Sequence, residues 1–249
     1  RMNYVLGRFD RGVEHAGQSL KVAEALGNDD ALSTEPVNLL ARIHCLLGEP
    51  RQASQYAARN VDQMHRLGTR IEEAAVSGVL AFAYGAHGRY REAAAAADCG
   101  IEIAKSLEHL PTLAACYMYR AVVRGWFGKL QSSVADFEQS LIISERAGDT
   151  FRRYLVHGWR GEAYLLGQDD AAAERELSQC LALGDQIGTS FHRGAFQAFL
   201  AKIKLDHGDP EGARRDCEAA ITVASDTSQP WSQSIALRIH AETLLAGSG

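Results

Sequence analysis

"LLGEPRQASQYAARNVDQMHRLGT" (residues 46–69) and "AHGRYREAAAAADCGIEIAKSLEH" (residues 86–109) share few identities, yet they keep one spacing. Each has a glycine (Gly48, Gly88), a small residue five places on (Ala53, Ala93) and an apolar residue eight places further (Val61, Ile101). The offset of forty residues runs through the whole chain. Small residues recur at Ala41, Ala81, Ala121, Gly161, Ala201 and Ala241, and a glycine ladder runs Gly7, Gly48, Gly88, Gly128, Gly167, Gly208. A third ladder is Gly27, Gly68, Gly148 and Gly188, with Glu108 and Ser228 in its two remaining places. A fixed period of this length marks one supersecondary unit stacked many times.

Between the ladders, apolar residues recur at intervals of three and four, the spacing of one helix face rather than of a strand. Two core columns of the first helices read Leu39, Val79, Tyr119, Trp159, Phe199, Ile239 and Ile43, Ala83, Val123, Ala163, Ile203, Thr243. The second helices carry Leu20, Val61, Ile101, Leu141, Leu181 and Ile221. The five prolines, Pro36, Pro50, Pro111, Pro210 and Pro230, fall where the ladders predict helix starts, where no backbone partner is lost. The closing glycines suit the left-handed position past a helix end. These signals predict first helices over 36–47, 72–87, 112–127, 153–166, 192–207 and 231–246. Second helices are predicted over 9–26, 50–67, 90–107, 130–147, 169–187 and 210–225.

The spacing small-x6-Gly-x4-small, as in Ala41 to Gly48 to Ala53 or Ala81 to Gly88 to Ala93, resembles the tetratricopeptide repeat family. Tyr84, Tyr164 and Phe137 fall at or beside its aromatic positions. The resemblance covers essentially residues 1–249 and implies an all-α, right-handed α-solenoid of stacked antiparallel helix pairs, a single domain of about six units. Two departures stand out: the family's usual repeat is shorter, and its proline near the repeat end is missing from most units. Forty-residue repeats resemble those of large bacterial signalling proteins, such as maltose-activator-like transcription regulators and class III nucleotide cyclases fused to ATPase modules. HEAT and armadillo arrays share the period, but the Gly-x4-small turn favours the tetratricopeptide reading.

The composition bounds the function. A net charge of -5 and a pI near 6.0 supply no global attraction to nucleic acid or anionic lipid. The richest apolar run, "ACYMYRAVVRGWFG", is broken by Arg120 and Arg124, too short and too charged to span a membrane. Five scattered cysteines, an odd number, fit a reduced, cytoplasmic setting in which they pack as small hydrophobes. No phosphate loop, dinucleotide fingerprint, nucleophile elbow, Cys-x-x-Cys pair or His-Glu-x-x-His helix occurs. The expectation is therefore no enzyme, no cofactor and no metal. The segment "RMNYVL" reads as the tail of a first helix, and "LRIHAETLLAGSG" as a lone first helix uncovering Ile235, Ile239 and Leu244. The expectation is a fragment of a longer protein whose exposed ends allow homodimerisation.

The resemblance implies a concave face lined by first helices, here Asn38, Arg42, Phe82, Met118, Val122, Glu162 and Lys202, taking a peptide or protein segment in a regulatory scaffold. Phe82, Met118 and Val122 would anchor it, with Arg42 and Lys202 as flanking charges; Met118 and Val122 could equally be core. The Lys and Asn set by which the chaperone-binding members clamp a carboxylate is missing. A second feature is the column Leu40, Leu80, Arg120, Arg160, Leu200. With Arg124, Arg153 and His157 nearby, the two arginines form a candidate anion patch for a small-ligand sensor, unless they pair with Glu138, Glu145 or Glu162 and lay their stems over apolar surface. A structural, self-assembling spacer is the third reading.

Overall fold

The structure, a computed structural model, describes residues 9–27 and 30–247; Gly7 and the segment before it lie outside these. Among the described residues there are twelve α-helices and no strand: α1 (Phe9–Ala25), α2 (Asp30–Leu46), α3 (Pro50–Leu67), α4 (Arg70–Ala86), α5 (Tyr90–Ser106), α6 (Leu110–Trp126), α7 (Leu130–Ala147), α8 (Thr150–Leu166), α9 (Asp170–Ile187), α10 (Arg193–Asp206), α11 (Pro210–Asp226) and α12 (Pro230–Ala246). They form two compact units, Arg1–Ala147 and Gly148–Gly249. In each, successive helices pack on one another, and first helices pack on first helices of the next repeat.

The repeat is written in backbone conformation. Positive φ falls at Gly48, Gly88, Gly128, Gln168 and Gly208, and again at Gly68, Glu108, Gly148, Gly188 and Ser228, each series forty residues apart. Glu108 and Ser228 thus take the left-handed conformation that their places in the ladder require. The other ladder needs a correction: Gly167 is right-handed, at φ −87, and Gln168 turns left-handed at φ 60. The turns close alike, through bonds from Glu49, Arg89, Lys129, Asp169 and Asp209 N–H to the carbonyls of His44, Tyr84, Arg124, Tyr164 and Lys204. This six-to-one bond satisfies carbonyls that a helix end leaves open.

Small residues set the helix crossings. Ala53, Ala93, Ser133, Ala173 and Ala213 are fully buried, and twelve residues before each lies Ala41, Ala81, Ala121, Gly161 or Ala201. Ser133 Oγ donates to Ala121 O at 2.7 Å across one such crossing. The second crossing recurs at a separation of 26: Asn60 Nδ2 donates to Thr34 O (2.9 Å), and Ser140 Oγ to Ala114 O (2.7 Å). A Cβ at Gly100 would stand 2.9 Å from Ala74 O. At each contact a side chain either feeds the neighbouring carbonyl a hydrogen bond or stays small enough to let the backbone approach.

Four of the five prolines open helices α3, α6, α11 and α12. Pro36 does not: α2 begins at Asp30 and encloses it. Pro36 is buried, and its neighbour Val37 belongs to the cluster of Ala16, Leu20, Val37 and Leu40 that joins α2 to α1. Of the residues expected to lie uncovered on α12, Ile239 is buried, whereas Leu244 is 49% exposed.

Candidate functional site

In the N-terminal unit the candidate surface is built on α2, α4 and α6. Phe82 lies half-buried on α4, its ring edge-on to Tyr119 (centroids 6.0 Å) and Trp126 (5.0 Å) of α6. Glycines on α4 seat these rings. A Cβ at Gly78 would meet Tyr119 Cδ2 at 2.6 Å, and one at Gly85 would stand 3.5 Å from the Trp126 ring. The result is a three-ring cluster, half-exposed and laid on bare helix backbone. On α2, Arg42 Nε donates to Asn38 Oδ1 at 2.9 Å, which fixes both side chains. Met118 and Val122 are corrected: at 2% and 3% exposure they are core and offer no surface to a partner.

The other two expected groove residues lie in the C-terminal unit. Glu162 is half-buried on α8. Lys202 on α10 is paired with Asp206 (2.5 Å) and Glu242 (3.3 Å), and its hydrogen bond to Asp206 raises its pKa. It belongs to a local ion network rather than standing as a flanking charge. The same unit holds a feature without any sequence signal. His192 sits at φ 59 just before α10, buried among Trp159, Phe191, Phe196 and Trp231, with centroids 4.4 to 6.1 Å away. Its backbone N–H donates to Gln229 Oε1 at 2.7 Å, and Gln229 Nε2 donates to Ser190 O at 3.0 Å. Gln229 thus latches the approach to α10 onto the start of α12. Burial pushes the His192 pKa down to about 3, which keeps the ring neutral.

The arginine column is not an open anion patch. Arg120 grips Asp136 with two parallel bonds (2.8 and 2.7 Å) and reaches Asp98 at 2.6 Å, while Arg124 donates to Asp136 at 2.6 Å. Burial works against the Arg120 charge, and the hydrogen bonds to Asp136 and Asp98 outweigh it and raise its pKa. In the C-terminal unit Arg160 grips Glu176 in the same two-bond manner (2.8 and 2.6 Å), and His157 donates to Glu176 at 2.8 Å. Burial opposes the Glu176 carboxylate, but these bonds hold its pKa below the usual range. Arg153 is half-buried on α8 and also has partners. Arg120 and Arg160 each grip a carboxylate sixteen positions on, Asp136 and Glu176, where the sequence suggests Glu138, Glu145 or Glu162. Where the arginines are Leu40 and Leu80, the matching residues are Tyr56 and Ala96, packed with them in apolar clusters. Leu with Tyr or Ala has been exchanged for Arg with Asp or Glu at one helix contact.

Burial pushes the Cys45 thiol up to about 12 and Cys217 to about 11, and exposed Cys99 is also raised, mainly by partial burial, all away from the thiolate form. Among the described residues no cluster of His, Cys, Asp or Glu is placed to hold a metal, and no helix is long and apolar enough to cross a membrane.

The fold has solved counterparts. A Rap protein complexed with competence and sporulation factor superposes with a TM-score of 0.71 at 11% identity, covering 99% of this chain and 73% of that one. A thermophilic TPR protein of Thermus thermophilus gives 0.58 at 20% identity, covering 85% of this chain and 99% of that one. The fold is that of tetratricopeptide-repeat proteins. A signal transduction ATPase with a tetratricopeptide repeat sensor, from Pyrococcus horikoshii, matches with a TM-score of 0.59 at 13% identity over 88% of this chain and 34% of that one. No family model and no curated protein matches the sequence. In tetratricopeptide-repeat terms the described surface residues Asn38, Arg42 and Phe82 lie on first helices, as do Tyr119 and Trp126 beside them.

Proposed function

We propose that the protein is a non-catalytic protein-interaction module, and that the first helices of its N-terminal unit receive a peptide segment carrying a large apolar side chain. The observation that carries this reading is the half-exposed cluster Phe82, Tyr119 and Trp126, seated on Gly78 and Gly85. Aromatic rings held in place are common anchors of binding energy, because little side-chain entropy is lost when they are covered. The Asn38–Arg42 pair then supplies an amide and a guanidinium to orient the peptide backbone. The Rap complex, whose partner is a named factor, supports a ligand-binding role for such an array.

In this reading the module belongs to a larger cytoplasmic signalling or transcription-regulatory protein, acts through a single six-repeat array, and binds neither nucleic acid nor membrane. End-to-end pairing of copies is a second mode of association. A sensor for small anions is not favoured, because Arg120, Arg124 and Arg160 already hold Asp136, Asp98 and Glu176. The test is to pan a displayed peptide library on the protein. The retained sequences should share an apolar anchor, and Phe82→Glu or Trp126→Ser should weaken them by about thirtyfold, the effect of losing a hot spot, with the helical spectrum unchanged. Equal retention by both variants would discard this face.

A further inference from the structure

The turns joining first to second helices in the N-terminal unit form an edge of unusual charge. Arg89 and Lys129 occupy the positions immediately before α5 and α7, and Arg51 and Arg91 are the second residues of α3 and α5. All four side chains are exposed. These are the positive ends of helix dipoles, where Asp, Glu, Ser or Thr are stabilising and cations cost free energy. The matching positions of the C-terminal unit obey the rule. Asp169 and Asp209 stand where Arg89 and Lys129 stand, and their side chains accept bonds from Ala172 and Gly212 N–H (3.0 and 2.8 Å). Glu211 stands where Arg51 and Arg91 do. Arg89 makes no capping bond.

The edge is continuous and under-neutralised. Arg51 Nε donates to His87 Nε2 at 3.0 Å, so its neighbour across the repeat boundary is an imidazole rather than a carboxylate. Tyr90 contacts Phe127 at 4.9 Å, bringing the next two turns side by side. Arg89 stacks on Tyr84 (4.4 Å) and pairs with Glu92, and Glu49 pairs with His44. Arg51 and Lys129 make no ion pair with a carboxylate among the described residues, and Arg91 meets only the through-space charge of its neighbour Glu92, which Arg89 already holds.

We propose that this edge is a second docking surface, separate from the aromatic face, and that its occupant is an acidic segment of a partner protein. Guanidinium groups recognise carboxylates through paired hydrogen bonds, and three exposed cations along adjacent turns match a short run of Asp and Glu. A nucleic acid is the poorer fit: so few cations could meet only a few phosphates of a long polyanion.

The test is fluorescence anisotropy with a labelled oligo-glutamate peptide, its oligo-glutamine counterpart and a single-stranded oligonucleotide. These probe the wild type and the triple variant Arg51→Glu, Arg91→Glu, Lys129→Asp, which installs residues of the C-terminal unit's pattern. The wild type should bind oligo-glutamate but not oligo-glutamine, with affinity that falls as salt rises. The variant should lose at least about tenfold of that affinity while melting no lower than wild type, since it removes cations from helix N-termini. Phe82→Glu should bind oligo-glutamate as wild type does, which separates this surface from the aromatic face. Absent binding, unchanged binding by the triple variant, or tighter binding of the oligonucleotide would overturn the proposal.

Discussion

At Gln168 the repeat uses a residue that its conformation does not favour. A left-handed φ of 60 costs a residue with a Cβ about 1–2 kcal/mol, while glycine would lose about 0.5–1 kcal/mol more backbone entropy on folding. Gln168→Gly should therefore stabilise the protein by about 0.5–1 kcal/mol. Urea denaturation measures it, and an unchanged midpoint would mean that the glutamine has compensating contacts. His192 makes the opposite prediction, for acid. Its folded pKa of about 3 lies below its ordinary value near 6.5, so the unfolded chain binds the extra proton in that window. The stability contributed is complete above the ordinary value and is lost as pH falls toward the folded one. Between neutral pH and about 4.5 the wild type should lose about 2 kcal/mol more than His192→Asn. Asparagine tolerates the left-handed backbone and does not titrate there. Parallel pH profiles would show that the ring is not the acid-sensitive group.

At the scale of helix pairs, the ionic contact between α6 and α7 carries a cost that its apolar equivalents avoid. Asp136 is almost wholly buried beneath two arginines. Asp136→Ala should cost about 2–3 kcal/mol, because it takes the shared carboxylate from two half-buried guanidinium groups, of which Arg120 keeps the exposed Asp98. Arg120→Leu combined with Asp136→Ala copies the Leu80 and Ala96 contact one repeat earlier, and should regain most of that loss. If the double variant melts as low as the single one, the ion pair shapes the crossing rather than merely filling it. This exchange is visible in the sequence only in part. The switch from leucine to arginine at Arg120 and Arg160 stands out, but assigning the partner requires the antiparallel crossing, which puts residue i against i+16. The column Tyr56, Ala96, Asp136, Glu176, Asp216 turns acidic where the arginines begin but stays acidic opposite Leu200, where Asp216 pairs with Lys204 instead, so the signal is partial. Helix limits are legible to within about three residues almost everywhere, because glycine and proline act through backbone geometry. They fail at Pro36, which lies buried inside α2.

Across the whole molecule, periodicity reveals the array of helix pairs but not the occupants of its surfaces. Apolar residues on a first helix look alike whether they face a partner or the next repeat, so Met118 and Val122 cannot be separated from Phe82 by residue type. Trp126 and the His192 latch leave no such trace: Trp126 continues the mixed column Leu46, Ala86, Leu166 and Ala246, and His192 stands where Glu72, Thr112 and Arg152 stand. Stability in such arrays is nearest-neighbour in character, and each compact unit has its own internal packing. Residues 1–147 expressed alone should accordingly unfold cooperatively with a helical far-ultraviolet spectrum; a broad, non-cooperative transition would refute its independence. The ion pairs Arg120–Asp136 and Arg160–Glu176 each begin and end within one forty-residue period. Unequal recombination that deletes or duplicates a whole period therefore removes or copies both partners of such a pair together. The His192–Gln229 latch, whose halves lie 37 residues apart in successive repeats, has no such protection, so the gene can lengthen or shorten upstream of it more freely than through it.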